Sequence, residues 1–240
     1  WPFVAQDVLH LPSHVYGIKE RPKFVRYFDI IKMEYVGARG MLYDALRLPQ
    51  PEYLVSEVLL FDHFDGNVFG PKVEKLKMAY RSAYSVLDKV ALFLNEYFSL
   101  GFKDERVAFK SIFFGKNNPK ILQEKFRNIR NLPLHGLYSL RADLFEADQG
   151  FKDITEPDAA RLVEYRNLSE HRFLSFHENL KVDDGAFGSK IELADFEIKA
   201  LRVLRMAREA ILYLSMSVKQ EEGQRDKQRN SGDVLRVKGR

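Results

Sequence analysis

The amino-acid sequence predicts an all-α protein, a bundle of four or five helices with a helical extension on its N-terminal side. Long segments repeat apolar residues every three or four positions, which is the period of one face of a helix. No segment alternates apolar and polar residues for long enough to indicate a half-buried strand. With 240 residues, 45% of them hydrophobic and 30% charged, the chain can bury the core of a globular protein.

The N-terminal part of the chain predicts one long helix. Residues 1–22 contain three prolines and are expected to be irregular. A helix is predicted from Lys23 to Leu48, weakened in its middle by two glycines and stopped by the prolines that follow. Residues 52–61 hold an apolar run that is too short to classify, and residues 62–67 are predicted to form a turn.

The clearest helix begins near Pro71, because proline is favoured in a first helical turn. Its apolar positions, at alternating steps of three and four, are Val73, Leu76, Tyr80, Ala83, Leu87, Val90, Leu94 and Tyr97. Tyr84, Ala91 and Phe98 widen this stripe, so the helix is expected to be buried over a broad face. Gly101 is predicted to end it.

Three further helices are predicted, over residues 119–130, 133–146 and 155–179. Each has a proline in or near its first turn, and Thr155 is expected to be the N-cap of the third. A loop rich in Phe, Lys and Asn precedes the first of them. Residues 183–189, which include two glycines, are predicted to form a turn after the third.

The last predicted helix carries a long apolar stripe. Its positions are Leu193, Phe196, Ala200, Val203, Ala207, Ile211, Leu214 and Val218. After Glu222 this periodicity is lost, so disorder is expected. The predicted division of the chain is therefore an N-terminal helical extension over residues 1–55, a helical bundle over residues 56–222 and a disordered basic tail over residues 223–240.

The net charge of +4 gives little support for a nucleic-acid partner. From Ile211 onward seven Lys and Arg stand against four Asp and Glu, a net +3, which leaves +1 for residues 1–210. A pI near 9 is weak evidence when the excess charge lies in a polar tail. A local basic patch stays open as an alternative.

The residue types present exclude several classes of site. Without Cys there is no disulfide, thiolate metal site or cysteine nucleophile. No apolar run approaches the roughly 20 residues of a membrane span, and the N-terminus lacks the pattern of a secretory signal, so we expect a cytoplasmic location. Residues 62–65 (DHFD) have metal-ligand types, but no second His pattern completes them. Glycine-rich phosphate loops are absent too, so neither a metal nor a cofactor is expected.

The predicted helix over residues 155–179 carries a polar triplet, Arg166, Asn167 and His171. Asn167 and His171 are four positions apart and therefore neighbours on the helix surface. Arg166 and His171 lie about 140° apart around the axis and flank a strip that contains Asn167. The other members of this strip are Val163 and Leu174, and the predicted core face consists of Leu162, Tyr165, Phe173 and Phe176. A polar triplet turned away from the core indicates a surface that meets a ligand or a partner.

The same spacing also has a purely structural interpretation. Arg166 can pair with Glu170 four residues on, a helix-surface ion pair that contributes about 0.2–0.5 kcal/mol. His171 can belong to a local hydrogen-bond network. In this interpretation the chain is a helical scaffold and the triplet has no function of its own.

The segment from Arg166 to His171 (RNLSEH) resembles the signature of the HEPN superfamily (higher eukaryotes and prokaryotes nucleotide-binding): an arginine, a polar residue, and a histidine after four intervening positions. Residues 75–98 and 131–146 resemble a bacterial HEPN subgroup that is often found downstream of TPR repeats. The likeness covers about residues 55–220, and the residues before it do not match the TPR pattern. It implies a four- to five-helix bundle of HEPN type.

The resemblance implies metal-independent endoribonuclease activity in a toxin or an antiviral defence effector, with two copies of the motif brought together in a homodimer. It implies His171 as general acid or base, Arg166 as the cation on the phosphate, and Asn167 as a positioning residue. RNA is then the substrate, and an antitoxin or an upstream TPR module is the expected further partner. The alternative is a non-catalytic HEPN module that binds RNA, a nucleotide or a protein.

Three residues outside the motif are candidates to support it. Asp88 lies on the long helix where related HEPN folds often place a polar residue, although a surface ion pair with a neighbouring cation is the alternative. His135 and Arg141 lie on one predicted helix and are candidates to line the same groove. His177 is expected to be peripheral.

Overall fold

The computed structural model describes residues 10–12, 14–16, 23–49, 67–115, 121–127, 129–145, 162, 165–167, 174–177, 189–228 and 235–237. The chain divides into two compact units. The first unit comprises residues 1–33, 87–142 and 208–240, and the second unit comprises residues 34–86 and 143–207. The predicted division into extension, bundle and tail stays a prediction.

Helices make up most of the described residues, and the prediction of an all-α fold is confirmed. The elements in chain order are β1 (His14–Tyr16), α1 (Lys23–Arg47), α2 (Pro71–Tyr97), a 3-10 turn (Asp104–Arg106), α3 (Glu124–Arg127), α4 (Leu132–Phe145), β2 (Leu174–His177), β3 (Ser189–Glu192), α5 (Leu193–Gln228) and β4 (Leu235–Val237). Residues 162 and 165–167 are helical as well.

The apolar stripes predicted for α2 and α5 form the core. Every residue named in the two stripes is at most 9% exposed, and burying a large apolar side chain contributes about 1.5–3 kcal/mol. Within the first unit, the ring of Phe24 packs against those of Phe93 and Tyr97, with centroids 5.5 and 5.3 Å apart. Within the second unit, the ring centroid of Phe196 lies 5.1 Å from that of Tyr80 and 4.9 Å from that of Phe176.

The end of α2 differs from the prediction by two residues. The amide of Leu100 donates to the carbonyl of Asn95 (2.9 Å) and that of Ser99 to Glu96 (3.2 Å), a pair of bonds typical of a Schellman motif. This motif needs a left-handed residue, and Ser99 takes that conformation with φ +49°. The predicted terminator, Gly101, also has a positive φ, but it follows the motif.

Helix α4 agrees with the prediction to within one residue at each end. Its N-cap is the buried Asn131, whose Oδ1 accepts the amide of Leu134 at 3.1 Å. The side-chain nitrogen of Asn131 donates to the carbonyl of Ser217 and to Glu221 Oε1, both at 2.9 Å. One amide side chain therefore starts α4 and joins it to α5.

The helix predicted over residues 119–130 is wrong for most of its described part, because helical residues are confined to α3. Before α3 the chain pairs with an earlier segment: Gln123 N donates to Phe113 O (2.9 Å) and Gly115 N to Ile121 O (2.8 Å). Backbone groups engaged in these antiparallel contacts cannot also make the bonds of a helix. Residues 116–120 lie outside the described residues.

The helix predicted over residues 155–179 is wrong at its C-terminal end. Leu174–His177 form β2, which pairs in parallel with β3, and His177 also bridges to Asn67. Phe176 is buried as predicted, but from a strand, so Leu174 is not part of a helical strip beside Asn167. A four-residue strand is too short for its alternation to be visible in the sequence. Thr155 and residues 183–188 lie outside the described residues.

Two predictions for the chain ends are wrong in part. Helix α5 continues past Glu222 to Gln228. The buried Glu222 accepts a hydrogen bond from Tyr97 Oη at 2.7 Å and one from Arg225 Nη1 of the next turn at 3.0 Å. The expected irregularity of the N-terminal residues and disorder of the tail do not hold for β1 and β4, which pair antiparallel. Among the described helices, none contains an apolar stretch of the length that a bilayer requires.

Candidate active site

Arg166 and Asn167 lie in a helical stretch, residues 165–167, of the second unit. The side chain of Arg166 is half-buried and that of Asn167 is exposed. His171 and Glu170 lie outside the described residues. Of the three motif residues, the structure therefore describes Arg166 and Asn167.

Three tyrosine contacts hold this helical stretch. Tyr80 Oη donates to the carbonyl of Leu162 at 2.5 Å, and burial raises the pKa of this phenol well above its usual value, so the group stays a proton donor. Tyr165 Oη donates to Asp195 Oδ2 at 2.6 Å. The rings of Tyr80 and Tyr165 both pack on Phe196, with centroids 5.1 and 5.9 Å apart. The backbone that carries Arg166 is thus fastened to α2 and to α5.

The third contact places the guanidinium of Arg166. Its central carbon lies 5.5 Å from the ring centroid of Tyr84, a buried residue of α2. Cation–π contacts at this range contribute about 0.5–1 kcal/mol at exposed sites and more when they are desolvated. Arg166 Nη1 also donates to Asn167 Oδ1 at 3.4 Å. A guanidinium that lies against an aromatic ring loses conformational freedom before a ligand binds, and its planar fork suits a bidentate contact with a phosphate.

Asp88 and Arg141 make contacts inside the first unit. The amide of Phe109 donates to Asp88 Oδ1 at 3.0 Å. Arg141 is 7% exposed, its Nε donates to the carbonyl of Lys110 at 2.9 Å, and its guanidinium lies 4.5 Å from the ring centroid of Phe114. Both side chains therefore hold the segment between α2 and α3, and their support of the motif stays a prediction.

His135 and His177 occupy contrasting environments. His135 is exposed in the first unit, where its Nε2 lies 3.3 Å from the carbonyl of Ile129. It borders a cavity of about 100 Å³ that Phe113 and Tyr138 also line. His177, in the second unit, is buried, with Nε2 3.4 Å from Ser175 Oγ, and is therefore not a surface residue.

Asp143 is the one carboxyl group of the second unit, within the described residues, whose pKa is clearly shifted. Burial raises the pKa of Asp143, and the positive charge of Arg202 opposes that rise. Burial in turn lowers the pKa of Arg202. Sequence analysis did not single out this pair, since its members lie 59 positions apart on α4 and α5. Among the described residues, no group of three His, Asp or Glu could hold a metal ion.

A family model described as LA2681-like HEPN matches residues 15–221, which is well over half of the chain. The chain belongs to the HEPN family. HEPN domains include ribonucleases and nucleotide-binding modules. The residues matched include all of α1. Searches of curated proteins and of solved structures returned no match.

Proposed function

We propose that this HEPN protein is a metal-independent endoribonuclease, with Arg166, Asn167 and His171 as its catalytic motif. The observation that carries the proposal is the guanidinium of Arg166, placed over Tyr84 and joined to Asn167 within an RNLSEH segment. The RNA strand is the substrate, and two copies of the chain form one site.

The chemistry requires one cation and one titratable base at a phosphodiester. A neutral imidazole takes the proton from the ribose 2′-hydroxyl, and the resulting oxygen attacks the adjacent phosphorus. Negative charge builds on the phosphate oxygens, where the guanidinium of Arg166 stabilises it through two hydrogen bonds. The bond to the 5′-oxygen breaks, and that oxygen takes up a proton. The products are a 2′,3′-cyclic phosphate and a 5′-hydroxyl end, so DNA is not cut.

A dimer follows from the proton balance of this reaction. One proton leaves the 2′-hydroxyl while another arrives at the leaving 5′-oxygen, and a single imidazole cannot serve both positions at once. A second motif from a partner subunit supplies the second imidazole. In cells, such an activity fits a toxin or an antiviral defence effector.

Cleavage of mixed-sequence RNA in EDTA tests the proposal. We expect the wild type to cut RNA and to leave DNA intact, and His171→Ala and Arg166→Ala to lose activity by about 10²–10³-fold. Asn167→Ala should lose less. The control is Arg205→Gln, an exposed arginine on α5 in the same unit, which should cleave like the wild type. Expression of the wild type should slow bacterial growth, and Arg166→Ala should relieve it.

Two results would contradict the proposal. RNA cleavage that persists unchanged in His171→Ala would assign it to another nuclease or another site. RNA that is bound but left intact by the wild type would make the chain a non-catalytic HEPN module.

A further inference from the structure

The two units carry opposite net charges. The first unit holds 23 Lys and Arg against 13 Asp and Glu, a net +10, and the second holds 15 against 21, a net −6. These values add up to the modest +4 of the chain. The unit that contains Arg166 is therefore acidic, and long-range attraction of a polyanion must come from the first unit.

Positive charge in the first unit is concentrated between α2 and α4. The described residues of the range 106–130, here called the basic segment, contain five Lys and Arg and a single acidic residue, Glu124. The described cations of this segment all have exposed side chains; they are Arg106, Lys110, Lys125, Arg127 and Arg130. Two further lysines, at positions 116 and 120, lie outside the described residues.

Two of these cations are held by neutral partners. Lys125 Nζ donates to the carbonyls of Phe98 and Ser99, and Arg127 Nε donates to the carbonyl of Leu122 at 3.0 Å. Within the described part of the chain, no carboxylate forms an ion pair with Lys125 or Arg127. A carbonyl orients a cation without cancelling its charge, so the charge of the surface is kept.

The basic segment is also fixed in place. Between Lys125 and Arg127 in the chain, the buried ring of Phe126 packs against those of Phe98 and Phe113, with centroids 5.6 and 5.4 Å apart. Asp88 and Arg141 hold its earlier part through the backbone of residues 109 and 110. Cations on a pre-ordered surface lose less conformational entropy when they bind a ligand than cations on a flexible chain.

We propose that the basic segment is a docking surface for the phosphate backbone of single-stranded RNA, separate from the RNLSEH motif. The inference rests on the proposed function for the choice of RNA among polyanions. Chain phosphates are bound mainly through such cations, with little dependence on sequence. The basic segment thus supplies the long-range attraction to the RNA strand that the net negative charge of the second unit does not.

Binding of a fluorescent single-stranded RNA of mixed sequence tests this assignment. The full chain carries His171→Ala, so that the RNA stays intact and cleavage does not enter the measurement. The test variant adds Arg106→Gln, Arg127→Gln and Arg130→Gln. The matched control adds Arg39→Gln, Arg47→Gln and Arg205→Gln, three exposed arginines of the second unit. Circular dichroism checks that both are folded.

We expect the test variant to bind RNA on the order of 100-fold more weakly at about 0.1 M salt, with the salt slope reduced by about 2 for three lost phosphate contacts. The control should keep its affinity within about 2-fold, since its arginines make no phosphate contact. Equal binding by test variant and control would overturn the proposal. So would binding to phosphatidylserine vesicles that the test substitutions abolish while RNA binding is unchanged. RNA binding that depends on the basic segment, together with a wild-type chain that leaves RNA intact in the EDTA assay, would refute the nuclease and leave the docking surface in place.

Discussion

At the scale of single residues, the same residue type takes different roles according to what lies beside it. Arg166 is half-buried over the ring of Tyr84, next to the exposed Asn167, and we propose that it binds a phosphate. Arg141 also lies over an aromatic ring, but it is nearly buried and donates to a backbone carbonyl. Both were candidate site residues in the sequence. Only their surroundings distinguish a group suited to a phosphate from one that holds a loop.

The Asp143 carboxyl group gives a pH-dependent prediction at this scale. Because its pKa is raised in the folded protein, its ionised form is disfavoured there, and stability falls as pH rises from the ordinary Asp pKa of about 3.9 through the raised value. Asp143→Asn removes this loss of stability, because the asparagine side chain does not ionise. Urea unfolding should therefore show the variant gaining more free energy of unfolding, relative to the wild type, at pH 7 than at pH 4.

Glu209→Gln is the control for Asp143→Asn, since Glu209 is an exposed carboxylate on the same helix as Arg202. A difference between Asp143→Asn and the wild type that grows as pH falls would contradict the prediction. It would mean that attraction to Arg202 outweighs the cost of burial.

At the scale of the elements, helix positions followed from local patterns, whereas the C-terminal ends of α2 and α5 did not. The stripes of α2 and α5 are buried as predicted, because a period of 3.6 residues places them on one face. The end of α2 depends on Ser99, which adopts φ +49° and whose carbonyl accepts a bond from Lys125, 26 residues away. Strand β2 likewise exists through its pairing with β3. Such partners are absent from a local window of sequence.

Two helical glycines should respond to alanine in opposite directions. A Cβ at Gly37 in α1 would meet no atom within 4 Å, so Gly37→Ala should raise the free energy of unfolding by about 0.5–1 kcal/mol. A Cβ at Gly136 in α4 would lie 2.8 Å from Cε1 of Tyr213, so Gly136→Ala should lower it by about 1–3 kcal/mol. Denaturant unfolding measures both.

A double-mutant cycle with Tyr213→Ala assigns the cause of the Gly136 penalty. Removing the ring should abolish most of the cost of alanine at position 136. A penalty of the same size with and without the ring would show that the close approach of α4 to Tyr213 is not responsible.

At the scale of the whole molecule, charge is distributed unevenly between the two units. The sum of +4 conceals a basic first unit and an acidic second unit, because each unit collects residues from distant parts of the sequence. The basic segment itself is visible in the sequence, because cations outnumber acidic residues between residues 106 and 130. Counting charges only before and after Ile211 does not show this excess. A local charge count would have found it.

A shared active site makes activity depend on association. The proposed dimer should have a mass in solution of about 56 kDa, twice the 28.0 kDa of one chain. Specific ribonuclease activity should fall when the protein is diluted below its dissociation constant, because a lone subunit has only one copy of His171. Light scattering and dilution assays measure these two quantities.

Mixing subunits provides the control for that prediction. An excess of His171→Ala chain should lower the activity per wild-type chain, because wild-type subunits are then drawn into dimers that have lost one histidine. Activity that is constant on dilution and unaffected by the mixed-in variant would place the whole site in one subunit.

The sequence by itself determined the all-α class, the positions of α1, α2, α4 and α5, the buried faces of α2 and α5, and the RNLSEH segment that resembles HEPN proteins. These are properties of consecutive residues, and periodicity or a short motif is enough to show them. Only the tertiary structure decided that residues 174–177 form a strand, that Asp88 and Arg141 hold a loop, and that Arg166 lies on Tyr84. In each case the deciding atom belongs to a residue at least 12 positions away along the chain, and no local pattern of sequence specifies such a partner.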